Sequence, residues 1–193
     1  SLISQRELGR DAKSFSAALR HVLRQDPDVI LVGELRDLES IRTAIRAAET
    51  GHLVLSTLHT TDTVQTLDRM IGYFPSEEQE FARQEVAMNL RAVIAQRLIA
   101  HSDGMGRVPA VEILRNTSLV QKMLLNNKIR ELHQVVTNRE QGMQTFDQCL
   151  VELVKSKTIT EQESMRYAAN PSALKRILAG GYSDSDRGGI IGF

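Results

Sequence analysis

Two polar side chains, Glu34 and His59, each follow a short apolar segment of the sequence. Residues 29–32 read VILV before Gly33 and Glu34, and residues 53–58 read LVLSTL before His59. A carboxylate and an imidazole can transfer protons, orient water or contact phosphate and metal ions. Each also has an ordinary explanation, because glutamates often follow strands as solvated residues and histidines often serve only as hydrogen-bonding groups. Their placement in the fold therefore has to decide between these interpretations.

The first third of the chain predicts strands alternating with helices. The predicted elements are a possible strand over 2–7, a helix over 11–24, a strand over 29–33, a helix over 37–49 and a strand over 53–58. Asp11 and Asp37 are expected as helix N-caps, and Gly51 is expected where the second helix ends. Alternating strands and helices favour an α/β fold with a parallel sheet, and both strands are expected to be buried.

The predicted sheet brings Glu34 and His59 to one edge. The connection between the two strands is too long for a hairpin, so the strands are expected to be parallel with their carboxyl ends together. Open α/β sheets bind ligands at that edge. Further polar side chains are expected on the same rim, namely Arg36, Thr57, Thr60, Thr61 and Asp62. Arg36 and Asp37 could also be only a salt bridge and an N-cap.

His52 precedes the second strand and is expected at its opposite end. Seven residues of extended chain separate it from His59 by about 23 Å, so the two histidines cannot share a metal ion. No metal ligand set is assigned from spacing. A free-standing metal hydrolase built on Glu34 and His59 would need further ligands, and none is spaced to join them.

The rest of the chain predicts a long helix, a hairpin and a helical region. The helix is expected to begin at a capping box of Ser76 and Gln79 and to end near Gln96. Strands are expected over 97–100 and 108–114, with helices after Thr117. The predicted later caps are Thr145 with Gln148, Thr160 with Glu163, and Asn170 before Pro171. The predicted domains are an α/β core over 1–115, a helical subdomain over 116–180 and a flexible tail over 181–193.

Composition restricts the possible partners. Lys and Arg total 24 and Asp and Glu total 24, so no net charge recruits nucleic acid or a membrane surface. Tryptophan is absent, which argues against stacking on single-stranded nucleic acid. No apolar run approaches the roughly 20 residues of a membrane span, and no signal peptide is evident. Cys149, the single cysteine, is expected to be a buried structural thiol in a reducing compartment.

The phosphate-binding loop of P-loop hydrolases is not found in these 193 residues. That loop reads G-x-x-x-x-G-K-[S/T] after a strand, and none of the 12 glycines begins it. Either the chain binds no nucleotide, or these residues are the downstream part of a longer protein.

Three sequence blocks resemble the type II/type IV secretion ATPases, in particular the type IV pilus motor ATPases of the PilT and PilU kind. The blocks are SQRELGRDAKSFSAALRHVLRQDPDVILVGELRD, IRTAIRAAETGHLVLSTLHTTDT and DRMIGYFP. The resemblance runs from Ser4 to about Asp147. Its two most specific parts are the Walker B element at 30–34 and the histidine box at 51–60.

The resemblance implies a fold, an activity and an assembly. It implies a partial RecA-like P-loop NTPase core in a homo-hexamer, with ATP and Mg²⁺ bound by the complete protein. Glu34 and His59 would be catalytic, with Mg²⁺ reached through Glu34 and ATP, and support would come from His52, Arg36, Thr57 and Thr60. Expected partners are a pilus platform protein of the inner membrane and a paralogous motor ATPase. The expected location is the cytoplasmic face of that membrane.

Two departures from the family pattern affect this interpretation. The family's Walker A loop and acidic box are not in the chain, so it is expected to be inactive alone. The segment SLVQKMLLNNKIRE replaces the family's AIRNLIRE-like helix, which weakens the assignment to retraction specifically. The alternative function is a non-enzymatic regulatory or ring-partner module derived from a secretion ATPase.

Overall fold

The computed structural model describes residues 3–7 and 9–180, apart from the side chain of Ser16. The strands are β1 (Val29–Val32), β2 (Leu53–Ser56), β3 (Ala92–Ala100) and β4 (Arg107–Arg115). The helices are α1 (Phe15–Leu23), α2 (Leu38–Glu49), α3 (Thr63–Gly72), α4 (Gln79–Asn89), α5 (Ser118–Leu125), α6 (Leu132–Thr137), α7 (Phe146–Lys155), α8 (Glu161–Tyr167) and α9 (Pro171–Leu178). Short 3₁₀ turns lie at Ser76–Glu78, Ile129–Glu131 and Glu140–Gly142.

The parallel pairing predicted for the first two strands is confirmed. β1 and β2 pair in register from Val29 with Leu53 to Val32 with Ser56. The helix between them, α2, makes the crossover that a parallel connection needs. The α/β class with a parallel sheet is therefore correct.

Local sequence signals determine both ends of α2. Asp37 accepts a hydrogen bond from the Ser40 N–H, and the Ser40 hydroxyl bonds the Asp37 backbone in return, which forms a capping box. Gly51 follows the helix with φ of +95°, a left-handed conformation that glycine adopts without strain. Both predictions are confirmed. The predicted N-cap at Asp11 is wrong, because the first helix begins later and Ser14 caps it.

The expectation that both strands are buried is wrong for one face of the sheet. Ile30 and Val32 are buried, whereas Leu31 on the opposite face is 72% exposed. Leu53 and Leu55 of β2 are also about half exposed. Helix α2 buries Ile41, Ala44, Ile45 and Ala47 and packs against β2, but the described residues leave the other face of the sheet open. Fully apolar strands indicate a sheet covered on both faces, and only one cover lies in the described chain.

The predicted long helix is shorter than expected. α4 ends at Asn89, Leu90 is extended, and β3 begins at Ala92. The predicted capping box is also wrong, because Ser76 begins a 3₁₀ turn and the Gln79 side chain donates to the Phe74 carbonyl. Residues 92–96 pair with β4 instead of continuing the helix. This long-range pairing overrides the helical spacing of the apolar residues.

The hairpin of β3 and β4 packs against the C-terminal helices. The strands are antiparallel, from Ala92 with Arg115 to Ala100 with Arg107. One face of the hairpin joins a core that comprises Ala95, Ile99, Ala110, Phe146, Cys149, Leu150, Val151, Ile159 and Leu174. Burial of the Cys149 thiol raises its pKa, in keeping with the predicted structural role. The hairpin and these helices therefore share one core.

The caps predicted for the C-terminal helices are largely confirmed. Thr145 and Gln148 form a reciprocal capping box at α7. Thr160 accepts from the Glu163 N–H at α8, and Asn170 caps α9 with Pro171 at its first turn. These short polar side chains satisfy N–H groups that have no partner inside the helix.

Contacts divide the chain into two compact units. Of the described residues, one unit contains those up to His59 together with Arg69–Leu90, and the other contains Thr60–Asp68 and those from Arg91 onward. This division differs from the predicted boundary at residue 115, because β4 packs with α7. Where independently folding domains begin and end stays a prediction.

Two predictions concern the ends of the chain. Residues 3–7 form no strand, so the possible first strand is wrong for the described part of it. The tail predicted over 181–193 lies outside the described residues. Within residues 3–7 and 9–180, no helix is both long and apolar enough to cross a membrane.

Candidate functional site

Glu34 and His59 meet at the carboxyl ends of β1 and β2, as the sequence predicts. The Glu34 Oε1 lies 3.0 Å from the His59 Nε2, and the Arg36 Nε donates to the Glu34 Oε2 at 2.7 Å. The parallel register places residue 34 two positions beyond one strand and residue 59 three positions beyond the other. Both oxygens of the carboxylate therefore contact a basic side chain.

The electrostatics of this cluster favour an ionised Glu34. The hydrogen bond from Arg36 is the largest cause that lowers the pKa of Glu34. Burial opposes it, and the charges of Arg36 and His59 add to the lowering. The Glu34 side chain is 22% exposed, while those of Arg36 and His59 are 77% and 82% exposed. The carboxylate is therefore less exposed than the two donors beside it, and a ligand can reach those donors.

Thr57 binds the peptide groups on both sides of Glu34. Its hydroxyl donates to the Gly33 carbonyl at 2.8 Å, and its own carbonyl accepts from the Leu35 N–H at 3.0 Å. The sequence placed Thr57 on this rim without identifying these partners. The contacts extend the connection between β1 and β2 beyond their last paired residues.

Thr60 bonds within the start of α3. Its hydroxyl lies 2.7 Å from that of Thr66, and the Thr66 hydroxyl also bonds the Asp62 carbonyl at 2.8 Å. Asp62 accepts from the Gln65 N–H at 2.7 Å. These groups stabilise the beginning of the helix. A supporting role for Thr60 in ligand binding stays a prediction.

His52 lies apart from the Glu34 cluster, at the beginning of β2. Its Nδ1 is 3.1 Å from the Ala47 carbonyl and 3.0 Å from the Thr50 hydroxyl, at the end of α2. Its backbone N–H also donates to the Ala47 carbonyl. His52 therefore contacts a single carbonyl in the last turn of α2, that of Ala47, through both its ring and its backbone N–H. Its support of a nucleotide site stays a prediction.

Three residues that sequence reasoning missed hold the segment around His59. Arg69 donates to the His59 carbonyl at 2.6 Å. Arg97 donates to the Thr61 carbonyl at 3.3 Å, and its guanidinium lies 4.0 Å from the centre of the Phe146 ring. Glu112 contacts Thr63, the first residue of α3. No short motif marks these arginines, because their partners are backbone carbonyls distant in sequence.

Glu112 is a buried carboxylate that binds the first residue of α3. Its Oε1 accepts from the Thr63 N–H at 2.9 Å and from the Thr63 hydroxyl at 2.8 Å. Glu112 is 7% exposed, and it faces inward between two apolar neighbours of β4. A charged residue at an inward position of an alternating strand is the signal that could have identified it.

The Glu34 cluster offers one carboxylate to a metal ion. Among the described residues, no group of three or more His, Cys, Asp or Glu side chains is placed to hold a metal ion. Mg²⁺ in phosphoryl-transfer sites needs only one or two carboxylates, because nucleotide phosphates and water complete its shell. Glu34 fits that requirement. The phosphate loop that would cradle the nucleotide is not among the 193 residues.

Comparison with known proteins gives a consistent result. The family described as "Type II/IV secretion system protein" matches residues 4–176. A twitching motility protein of Neisseria gonorrhoeae is 46% identical over 175 residues, which cover 90% of this chain and 47% of that protein. The type IV pilus retraction ATPase PilT of Pseudomonas aeruginosa is 45% identical over 171 residues, with 88% and 49% covered. PilU of the same organism is 39% identical over 187 residues, with 96% and 49% covered.

Solved structures agree with these sequence matches. The pilus retraction motor PilT with bound ADP matches with a TM-score of 0.79 and 43% identity, over 90% of this chain and 49% of that one. The ATPase DotB of Legionella pneumophila matches with a TM-score of 0.73 and 30% identity, over 92% and 45%. The chain thus spans about half the length of each of these proteins.

Proposed function

Because the chain belongs to the type II/IV secretion system protein family, we propose that it is the C-terminal part of a motor ATPase that powers type IV pilus retraction. Relatives named for twitching motility and pilus retraction support this function, as does a structural neighbour that binds ADP. The chain matches about half of those proteins. The activity therefore belongs to the complete protein to which these residues would contribute.

The observation that carries the proposal is the cluster of Glu34, Arg36 and His59 at the ends of two parallel strands. Phosphoryl transfer depends mainly on positioned donors and on groups that orient water. Glu34 would orient the attacking water or a water bound to Mg²⁺. His59 and Arg36 would donate to phosphate oxygens, for which their exposed positions are suited.

Mg²⁺ and ATP fit this cluster as part of a larger site. ATP would supply the phosphoryl group, and Mg²⁺ would neutralise the charge of its phosphates. Thr57, His52 and Thr60 are proposed as support around the nucleotide. The residues that would hold the β and γ phosphates are not in this chain, so the chain alone is proposed to be inactive.

The same observation favours a second candidate function. A chain that carries Glu34 and His59 without a phosphate loop could join complete subunits as a regulatory or ring-partner module. The two candidates differ in one respect that can be checked. A motor subunit requires G-x-x-x-x-G-K-[S/T] in the same polypeptide upstream of Ser1, whereas a regulatory module does not.

Assembly and location follow from the motor proposal. The complete protein would form a homo-hexamer, contact a platform protein of the inner membrane, and work beside a paralogous motor ATPase at the cytoplasmic face. Paralogues named as pilus assembly ATPases match about half of this chain, which supports a family of related motors.

Hydrolysis assays test the proposal. The 193-residue chain should show no Mg²⁺-dependent ATP hydrolysis above background, because it lacks the loop that would hold the β and γ phosphates. The longer polypeptide encoded by the same reading frame should hydrolyse ATP, and Glu34→Gln should lower its kcat by about 10²-fold or more.

Glu77→Gln is the matched control, since Glu77 is exposed and lies in the turn before α4. It should leave kcat unchanged. Hydrolysis by the short chain that disappears in its Glu34→Gln variant would contradict the expected inactivity. A longer polypeptide whose hydrolysis is unaffected by Glu34→Gln would contradict the proposed site.

A further inference from the structure

Thr57 is placed to control the direction of the Glu34 side chain. The paired residues of β1 and β2 end at Val32 and Ser56, so the ladder does not itself include residue 34. Beyond that point, the Thr57 hydroxyl bonds the Gly33 carbonyl and the Thr57 carbonyl bonds the Leu35 N–H. These two groups belong to the two peptide units that flank the Glu34 Cα.

Fixing both peptide units fixes the side-chain direction. The orientation of a Cα–Cβ bond follows from the two peptide planes that meet at that residue, since the planes themselves are rigid. Gly33, the preceding residue, has no Cβ and gives the chain extra conformational freedom at this point. A Cβ built at Gly33 would meet no atom within 4 Å, so side-chain packing does not restrict this position. The Thr57 hydroxyl supplies that restriction.

Thr57 also connects Glu34 with His59. Thr57 and His59 both lie just beyond the end of β2, with only Leu58 between them. Arg69 of α3 donates to the His59 carbonyl, at the other end of the segment 57–59. The position of His59 relative to Glu34 therefore depends on how Thr57 joins the end of β2 to the end of β1.

We propose that Thr57 is a positioning residue whose hydroxyl orients Glu34 toward His59 by binding the Gly33 carbonyl. This inference rests on the proposed function, because the Glu34 and His59 pair matters only if it acts on a ligand. It differs from a role as a direct ligand of nucleotide or metal. A positioning hydroxyl acts in the chain without nucleotide, whereas a ligand hydroxyl has no effect until nucleotide is bound.

The test follows the ring nitrogens of His59 by NMR in the nucleotide-free chain. The chemical shift of these nitrogens, plotted against pH, should show an inflection at the pKa of Glu34. Glu34→Gln should remove this inflection. Thr57→Val keeps the shape of the side chain but removes the donor. It should reduce the chemical-shift change across the inflection at least about twofold. Thr57→Ala should do the same, and Thr57→Ser should retain most of the wild-type response.

Thr50→Val is the matched control, because Thr50 is exposed and its hydroxyl bonds His52 and the end of α2 instead. It should leave the inflection unchanged. Thr57 is exposed, so neither replacement removes core packing, and each variant is compared only after its amide spectrum shows a folded chain. Two hydroxyl-free variants keep the test open if one of them fails to fold.

The outcomes separate the two proposals. An unchanged inflection in folded Thr57→Val or Thr57→Ala would overturn the positioning role, as would an equal loss in Thr57→Ser. A wild-type chain without any inflection that depends on Glu34 would show that Glu34 and His59 do not pair in solution. That result would remove the premise of the proposed site itself.

Discussion

At the scale of single residues, the main feature is a carboxylate shared between two basic groups. Glu34 accepts from Arg36 at one oxygen and contacts His59 at the other. The sequence left Arg36 as a possible salt bridge, and the structure identifies Glu34 as its partner. A phosphate ligand would compete with Glu34 for these donors, because it also accepts charged hydrogen bonds.

Arg36→Gln should raise the pKa of Glu34 toward its ordinary value, since the Arg36 hydrogen bond is the largest cause of the depression. A group whose pKa is depressed by folding stabilises the fold above its unfolded-state pKa, and this contribution is lost as the pH falls through the lower folded-state value. The variant should therefore lose less stability on acidification. Titration of the Glu34 carboxyl carbon by NMR measures the shift directly.

Arg24→Gln is the control for this prediction. Arg24 is exposed at the end of α1, and it is not among the causes of the Glu34 shift. The variant should titrate like wild type. A Glu34 pKa that stays the same in Arg36→Gln would show that the ion pair does not form in solution.

At the scale of elements, the β hairpin stabilises the start of α3. Glu112 of β4 bonds two groups of Thr63, and Arg97 of β3 bonds the Thr61 carbonyl. The first N–H groups of a helix have no partner inside it, and a carboxylate is favourable at that end. A strand distant in sequence therefore supplies a cap that most helices obtain from a neighbouring residue.

Glu112→Ala should lower the free energy of unfolding by about 1–3 kcal/mol, because it leaves the buried Thr63 N–H and hydroxyl without their acceptor. Urea denaturation followed by circular dichroism measures the change. Glu77→Ala, an exposed glutamate outside any such contact, should change stability by less than about 0.5 kcal/mol. Equal effects of the two substitutions would contradict the capping role.

At the scale of the whole molecule, the outer face of the β1 and β2 pair is apolar and exposed. Val29, Leu31, Leu53 and Leu55 are 46–72% exposed on it. The chain spans about half the length of its relatives. Apolar parallel strands are normally covered on both faces, and an open face or edge favours association.

We expect the 193-residue chain to self-associate through this face. Leu31→Lys should shift the chain toward the monomer, because it places a charge at the most exposed position of β1. Light scattering over a range of concentrations measures the change. Ile94→Lys, which charges an exposed position on β3, is the control and should leave association unchanged. A wild-type chain that stays monomeric at high concentration would contradict the prediction.

Local patterns in the sequence determined the features that depend on neighbouring residues. The caps at Asp37, Thr145 and Asn170 were predictable because a capping side chain lies within three residues of its partner. The meeting of Glu34 and His59 was also predictable, although they are distant in sequence. Two apolar strands joined by a helix have few alternatives to parallel pairing.

Tertiary structure alone decided the features that depend on distant partners. The apolar residues within 92–96 have spacings compatible with a helix or a strand, and pairing with β4 selects the strand. Glu112 meets Thr63 across 49 residues, and no local pattern encodes that contact. The sequence by itself thus determined that Glu34 and His59 lie close together. The hydrogen bonds that hold this pair and its surrounding segment became visible only in the folded chain, because backbone carbonyls and N–H groups are the same at every position until folding selects their partners.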